Sequence, residues 1–168
     1  MSAFDSARER LPVVDGPREF GVLLAFVVGT NLLGAFPAFV VGSDTGWFVE
    51  PALYPPTIVF PVVWTVLFTL IGVAVYLVWR EGTDRREVRL ALAAFAAQFL
   101  LNLAWTPAFF GLQRPDLGLV VIVPLAALIA LTIYAFDRVD RRAAALLVPY
   151  LAWVLFATYL TYAIWAIN

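Results

Sequence analysis

A chain of 168 residues that is 63% apolar and only 14% charged departs far from soluble proteins, where about half the residues are apolar and about a quarter charged. Its net charge of −1 leaves no basic face to neutralise phosphates, so nucleic-acid binding is excluded. With no Cys and no His, disulfides, thiolate nucleophiles, imidazole bases and the usual zinc sites are excluded as well.

Residues 1–19 carry both signs of charge (Arg8, Glu9, Arg10, Asp15, Arg18, Glu19) and no continuous apolar stretch. They read as a short cytosolic tail and not as a secretory signal. Residues 20–168 then form one domain. A bilayer core ~30 Å thick needs ~20 apolar residues at ~1.5 Å rise each. Five uncharged segments reach that length: 20–41, 57–79, 90–110, 117–136 and 143–167. Lipid satisfies no backbone polar group, so the segments must be helices, and no alternating ten-residue strands suggest a barrel. The expected fold is all-α, a five-helix transmembrane bundle in a lipid bilayer.

The first span carries Thr30 and Asn31, and its Gly34 and Ala38 have the spacing that lets helices approach closely. Ala93 and Ala97 repeat that spacing in the third span, and internal packing or homodimerisation explains it equally well. The connection after the first span, 42–56, is long for so small a chain and holds Trp47, Phe48, Tyr54, Pro51, Pro55 and Pro56. It reads either as an interfacial aromatic belt or as a semi-rigid lid over a cavity.

In the second span Trp64 and Phe68 fall at i and i+4, on one face. The third span places Gln98, Asn102, Trp105 and Phe109 at i, i+4, i+7 and i+11, also one face. An amide pair beside an aromatic pair is too polar for lipid and must look into the bundle. The fifth span has a comparable face through Tyr150, Trp153, Ala157 and Thr161. Counting ~1.5 Å per residue, Trp64, Asn102, Trp105, Ala157 and Thr161 lie ~7–15 Å below one surface, with Trp153 deeper. This level suits a flat, mostly apolar ligand held by stacking and sparse polar groups. Bulky Trp residues packing the core are the alternative. The remaining neutral groups (Thr65, Thr69, Thr158) read as interhelical hydrogen-bonding groups.

No Asp, Glu, Arg, Lys or His falls inside these spans, which argues against ion pumping and proton-coupled transport. Nor is there an acid–base group for conventional catalysis or a phosphate-binding glycine loop. Arg placement gives a direction. Arg8, Arg10, Arg18, Arg80, Arg85, Arg86, Arg89, Arg138, Arg141 and Arg142 lie on one side, and Arg114 alone on the other. Basic connections stay inside, so the chain is expected in the cell membrane with its N-terminus cytoplasmic and Asn168 external.

Three stretches carry a family resemblance: PPTIVFPVVWTVLFTLIGVAVYLVW (55–79), QFLLNLAWTPAFFGL (98–112) and AALLVPYLAWVLFATYLTYAIWAIN (144–168). They resemble the second-helix, third-helix and fifth-helix motifs of the translocator protein family, also called tryptophan-rich sensory proteins (TspO/MBR). That resemblance implies a five-helix bundle, commonly a homodimer, that binds tetrapyrroles such as protoporphyrin IX and haem, and also isoquinoline and benzodiazepine-type compounds. It implies no obligatory cofactor; a porphyrin or haem is the ligand. Only Met1 among His, Cys and Met residues is present, so no interior side chain of those types could hold haem iron. By match of motif, Trp64 and Phe68 correspond to the second-helix wall of the family's pocket, and Asn102 and Trp105 to the third-helix wall. Trp153 and Ala157 correspond to the fifth-helix wall, and Trp47 and Phe48 to the lid. The expected role is sensor, carrier or regulator of porphyrin levels. The alternatives are light-dependent porphyrin degradation, for which the resemblance implicates Trp64 and Trp153, and passive transport or scaffolding of another apolar solute. The chain departs from the family pattern at Tyr54, where Trp is frequent, and at Pro61, where Gly is frequent. No basic residue follows Tyr162, so the sterol-recognition pattern of mitochondrial members is incomplete.

Overall fold

Long uncharged runs with so few backbone partners outside themselves fold as helices, and five of these make up the chain. The structure, a computed structural model, describes residues 16–168. In chain order the helices are α1 (Pro17–Val41), α2 (Val59–Trp79), α3 (Arg86–Thr106), α4 (Pro115–Asp137) and α5 (Arg141–Ile167). All five are long and apolar enough to cross a membrane, and the described residues contain no strand. The tail residues Arg8, Glu9, Arg10 and Asp15 lie outside the described residues. Arg18 and Glu19 do not belong to a tail; they sit in the first turn of α1, whose first helical position is Pro17. A proline there gives up only a donor that the helix start leaves unused.

The helices pack in the cyclic order α1, α2, α5, α4, α3, with α3 returning to α1. At the end of the bundle where the arginine-rich connections lie, the centre is filled by Ile71, Val78, Val88, Ile129, Phe136 and Leu147, all fully buried. Asp140 caps α5 by accepting from the backbone N–H of Arg142 at 2.7 Å and of Ala143 at 3.4 Å.

α1 and α2 meet backbone to backbone at Gly72, where an added Cβ would stand 2.7 Å from Val27 Cα and 2.6 Å from Thr30 Oγ1. Thr30 uses that proximity to donate to the Phe68 carbonyl at 2.9 Å, and Asn31 Nδ2 donates to Thr69 Oγ1 at 3.2 Å. Gly34 also faces α2, but what stands over it is the Phe68 ring. Ala93 and Ala97 are exposed on the bundle's outer surface, so the helix packing within this chain does not use them. Thr65 and Thr158 are not interhelical groups. Their hydroxyls donate to the carbonyls of Pro61 and Val154, four residues back on their own helices, at 2.8 Å each. A threonine hydroxyl reaches that carbonyl without any partner helix, and nearness on the same helix wins.

The third span is not one regular helix. Pro107 lacks an N–H, so the ladder of α3 cannot continue through it, and residues Pro107–Gly111 form a π-helical turn closed by Leu112 N–H to the Pro107 carbonyl at 2.9 Å. Gln113 then takes a left-handed conformation (φ 54°) before α4 begins.

Candidate functional site

The end of the bundle opposite the arginine-rich connections is hollow. A cavity of about 510 Å³ lies among all five helices, and no residue lining it is charged. α2 contributes Phe60, Trp64 and Phe68. The Trp64 and Phe68 rings are four residues apart and stack at 5.1 Å with 27° between planes. α3 contributes Asn102 and Trp105, and the π-turn adds Phe109 and Phe110. Trp105 and Phe109 stack at 5.0 Å with only 13° between planes. The wider π-turn also sets Phe110 edge-on to both Phe109 and Trp105. α5 lines the cavity with a stripe of small and branched side chains, Val154, Ala157, Thr161 and Ile164 among them. α1 supplies Asn31, Gly34 and Ala38.

At the floor, Tyr150 of α5 is fully buried and joins the two amides of α3. Its hydroxyl donates to Gln98 Oε1 at 2.9 Å and accepts from Asn102 Nδ2 at 3.0 Å. Tyr150 also meets the Trp64 ring edge-on at 6.3 Å. Among the described residues, four buried side-chain donors have no hydrogen-bond partner: Gln98 Nε2 and the indole N–H groups of Trp47, Trp105 and Trp153.

The connection between α1 and α2 closes this end. Trp47 and Phe48 pack on Phe109 at 5.3 and 5.8 Å, and Tyr54 stands edge-on to Phe48 at 5.7 Å. These ring contacts pack the loop onto the end of the bundle that holds the cavity. Beyond its own junctions with α1 and α2, the connection is tied by hydrogen bonds to Asn168, at the end of α5. The Asn168 side chain accepts from Val49 N–H at 2.7 Å and donates to the Val49 carbonyl at 3.3 Å. Tyr54 both belongs to the lid and lines the cavity. Burial, with the nearby Glu50 charge, pushes its phenol up to about 12, so it remains neutral.

Of the residues singled out from the sequence, Trp64, Phe68, Asn102, Trp105 and Ala157 line the cavity together. Trp47 and Phe48 do not line it; they lie over it through Phe109. Trp153 is not on its wall. That indole packs against Phe60 at 5.9 Å and Phe156 at 5.5 Å and borders a separate apolar groove between α2 and α5. Phe60 and Phe110 were missed, and Tyr54, read from the sequence as part of the loop, lines the cavity as well. Phe60 is legible in hindsight, since it falls four residues before Trp64 and continues the Trp64–Phe68 stripe.

Five membrane-length helices around a lidded, uncharged aromatic cavity define a multi-pass helical membrane protein with an internal chamber. Comparison with known proteins makes this particular. Residues 22–166 match the TspO/MBR family. The chain is 48% identical to the tryptophan-rich protein TspO of Chlorobaculum tepidum, over 86% of this chain and 95% of that one. It is 37% identical to the translocator protein of Homo sapiens over 81% of this chain and 84% of that one. Against the tryptophan-rich sensory protein of Cereibacter sphaeroides the identity is 38%, over 71% and 73% of the two chains. The chain belongs to the TspO/MBR family.

Proposed function

We propose that this protein binds tetrapyrroles, protoporphyrin IX above all, in the aromatic cavity and acts as a sensor, carrier or regulator of porphyrin levels in the cell membrane. The observation that carries the reading is the pair of ring stacks, Trp64–Phe68 and Trp105–Phe109, on one uncharged chamber of about 510 Å³. That volume falls within the ~300–1,000 Å³ of small-molecule sites. Flat aromatic faces favour a flat conjugated ligand. No His, Cys or Met lines the chamber, so stacking on its aromatic rings is what would hold haem. The names of the relatives, one a translocator and another a sensory protein, agree with a sensing or carrying role. A second copy of the chain is the further partner of this reading, with the exposed Ala93 and Ala97 surface able to accept it closely.

The test is titration of detergent-solubilised protein with protoporphyrin IX, followed by quenching of Trp fluorescence. Trp64→Phe and Trp105→Phe are expected to weaken binding about tenfold each, and Trp153→Phe to leave the affinity within about twofold. A loss in Trp153→Phe with none in Trp64→Phe would remove the ligand from this chamber. Illumination of the same samples examines the light-dependent alternative. Trp64 is the tryptophan of the implicated pair that reaches the cavity wall, so degradation should follow Trp64 and be indifferent to Trp153.

A further inference from the structure

The floor of the cavity carries a hydrogen-bond chain that can run in either direction. As seen, the Tyr150 hydroxyl donates to Gln98 Oε1 and accepts from Asn102 Nδ2. Asn102 is the member of the chain that also lines the cavity. With one Nδ2 hydrogen on Tyr150, the Asn102 Oδ1 has no partner among the described residues, and the cavity floor offers an acceptor. Gln98 has no access to solvent at all, and its Nε2 has no partner.

Rotating both amides about their last bonds and turning the Tyr150 hydroxyl interchanges donors and acceptors without moving a helix. Gln98 Nε2 then donates to Tyr150, Tyr150 donates to Asn102 Oδ1, and Asn102 Nδ2 faces the cavity as a donor. Either direction keeps two hydrogen bonds. Either direction also leaves two groups of the Gln98 amide without a partner: both N–H groups as seen, or the carbonyl and one N–H after reversal. Neither arrangement is therefore strongly preferred by the protein alone.

We propose that Gln98 and Tyr150 are positioning residues that let Asn102 present either a hydrogen-bond acceptor or a donor, so that the chamber takes flat aromatic ligands of both polarities. This rests on the cavity being a ligand site but not on the ligand being a porphyrin. Gln98 is what permits both directions. Replaced by an apolar side chain of similar length, it can no longer accept from Tyr150. The Tyr150 hydroxyl then has only Asn102 Oδ1 to donate to, which fixes Asn102 Nδ2 toward the ligand.

Two tricyclic probes of nearly the same shape separate the polarities. Carbazole carries one N–H donor and no acceptor, and fluoren-9-one carries one carbonyl acceptor and no donor. Binding of each to full-length protein in detergent is read by Trp quenching. In the unaltered protein the two affinities should agree within about threefold, and Asn102→Leu should weaken both. In Gln98→Met, carbazole should weaken by about threefold to tenfold while fluoren-9-one is retained. Tyr150→Phe frees the Asn102 amide to turn by itself and should bring the ratio back. A Gln98→Met variant that shifts both probes equally, or that favours carbazole, would overturn the proposal. If that variant does not fold, the unaltered protein decides: discrimination beyond tenfold, or a preference in which Asn102→Leu weakens only one probe, overturns it. Binding of both probes with no binding of protoporphyrin IX would defeat the tetrapyrrole reading and leave this one standing.

Discussion

Gly72 shows how much a single missing side chain can determine. It is the position at which the α2 backbone meets the α1 backbone, and the contact that an added methyl would violate is Val27 Cα. A backbone atom in a packed helix cannot swing aside as a ring can, so Gly72→Ala must push the helices apart. The shift would also stretch the Thr30 to Phe68 carbonyl bond of 2.9 Å. Gly72→Ala is expected to destabilise by about 1–3 kcal/mol, as over-packing typically does. Gly29→Ala meets nothing within 4 Å and provides the control. Comparing the two variants' unfolding temperatures in detergent checks the claim; equal temperatures would mean that α1 moves freely against α2. The sequence pointed instead to Gly34 and Ala38, because small residues four apart are the recognisable pattern. A lone glycine such as Gly72 carries no pattern, and its importance appears only once its neighbour is known. Trp153 teaches the converse. Helical spacing put it on the Tyr150–Ala157 stripe, but spacing fixes a face only to within the width of a side chain, and Phe60 of the adjacent helix decides on which side the indole lies.

Whole helices were far more legible than their details. Hydropathy located the five spans because an uncharged run of about 20 residues has no comfortable alternative to crossing the bilayer. Their ends followed less closely, since α1 and α3 carry charged residues in their first turns. The π-turn at Pro107–Gly111 was not legible, because a proline says where regular hydrogen bonding stops but not what replaces it. That turn places Phe109 and Phe110, and so half of the third-helix wall. The start of α5 was likewise not anticipated, although its cap is well built. Burial pushes the Asp140 carboxyl up, but the Arg142 guanidinium and the backbone N–H groups of Arg142 and Ala143 outweigh it and hold it below its ordinary value. A carboxyl held low by folding contributes its stability in full above the ordinary value of about 4, and loses it as pH falls through the lower, folded value. Asp140→Ala is expected to cost about 1 kcal/mol at neutral pH. The difference in melting temperature between it and the unaltered protein should narrow as the pH is lowered from 6 toward 3. A difference independent of pH would assign the effect to packing and not to the charged cap.

At the scale of the whole molecule, the two ends of the bundle differ in kind. One end is solidly packed and bears Arg80, Arg85 and Arg138 in its connections and Arg86, Arg89, Arg141 and Arg142 in the adjoining helix starts; the other is hollow and roofed by Trp47, Phe48 and Tyr54. Basic connections resist translocation, so the packed end should face the cytoplasm and the lidded chamber should open outward. The lack of any cysteine makes this directly measurable, because one introduced thiol is the only one to react. Glu50→Cys places it on the exposed lid, and Thr83→Cys on the exposed connection between α2 and α3. A membrane-impermeant maleimide added to intact cells should label Glu50→Cys at once, and Thr83→Cys only after the membrane is opened. The opposite pattern would turn the chamber toward the cytoplasm. Its ligand would then be drawn from inside the cell.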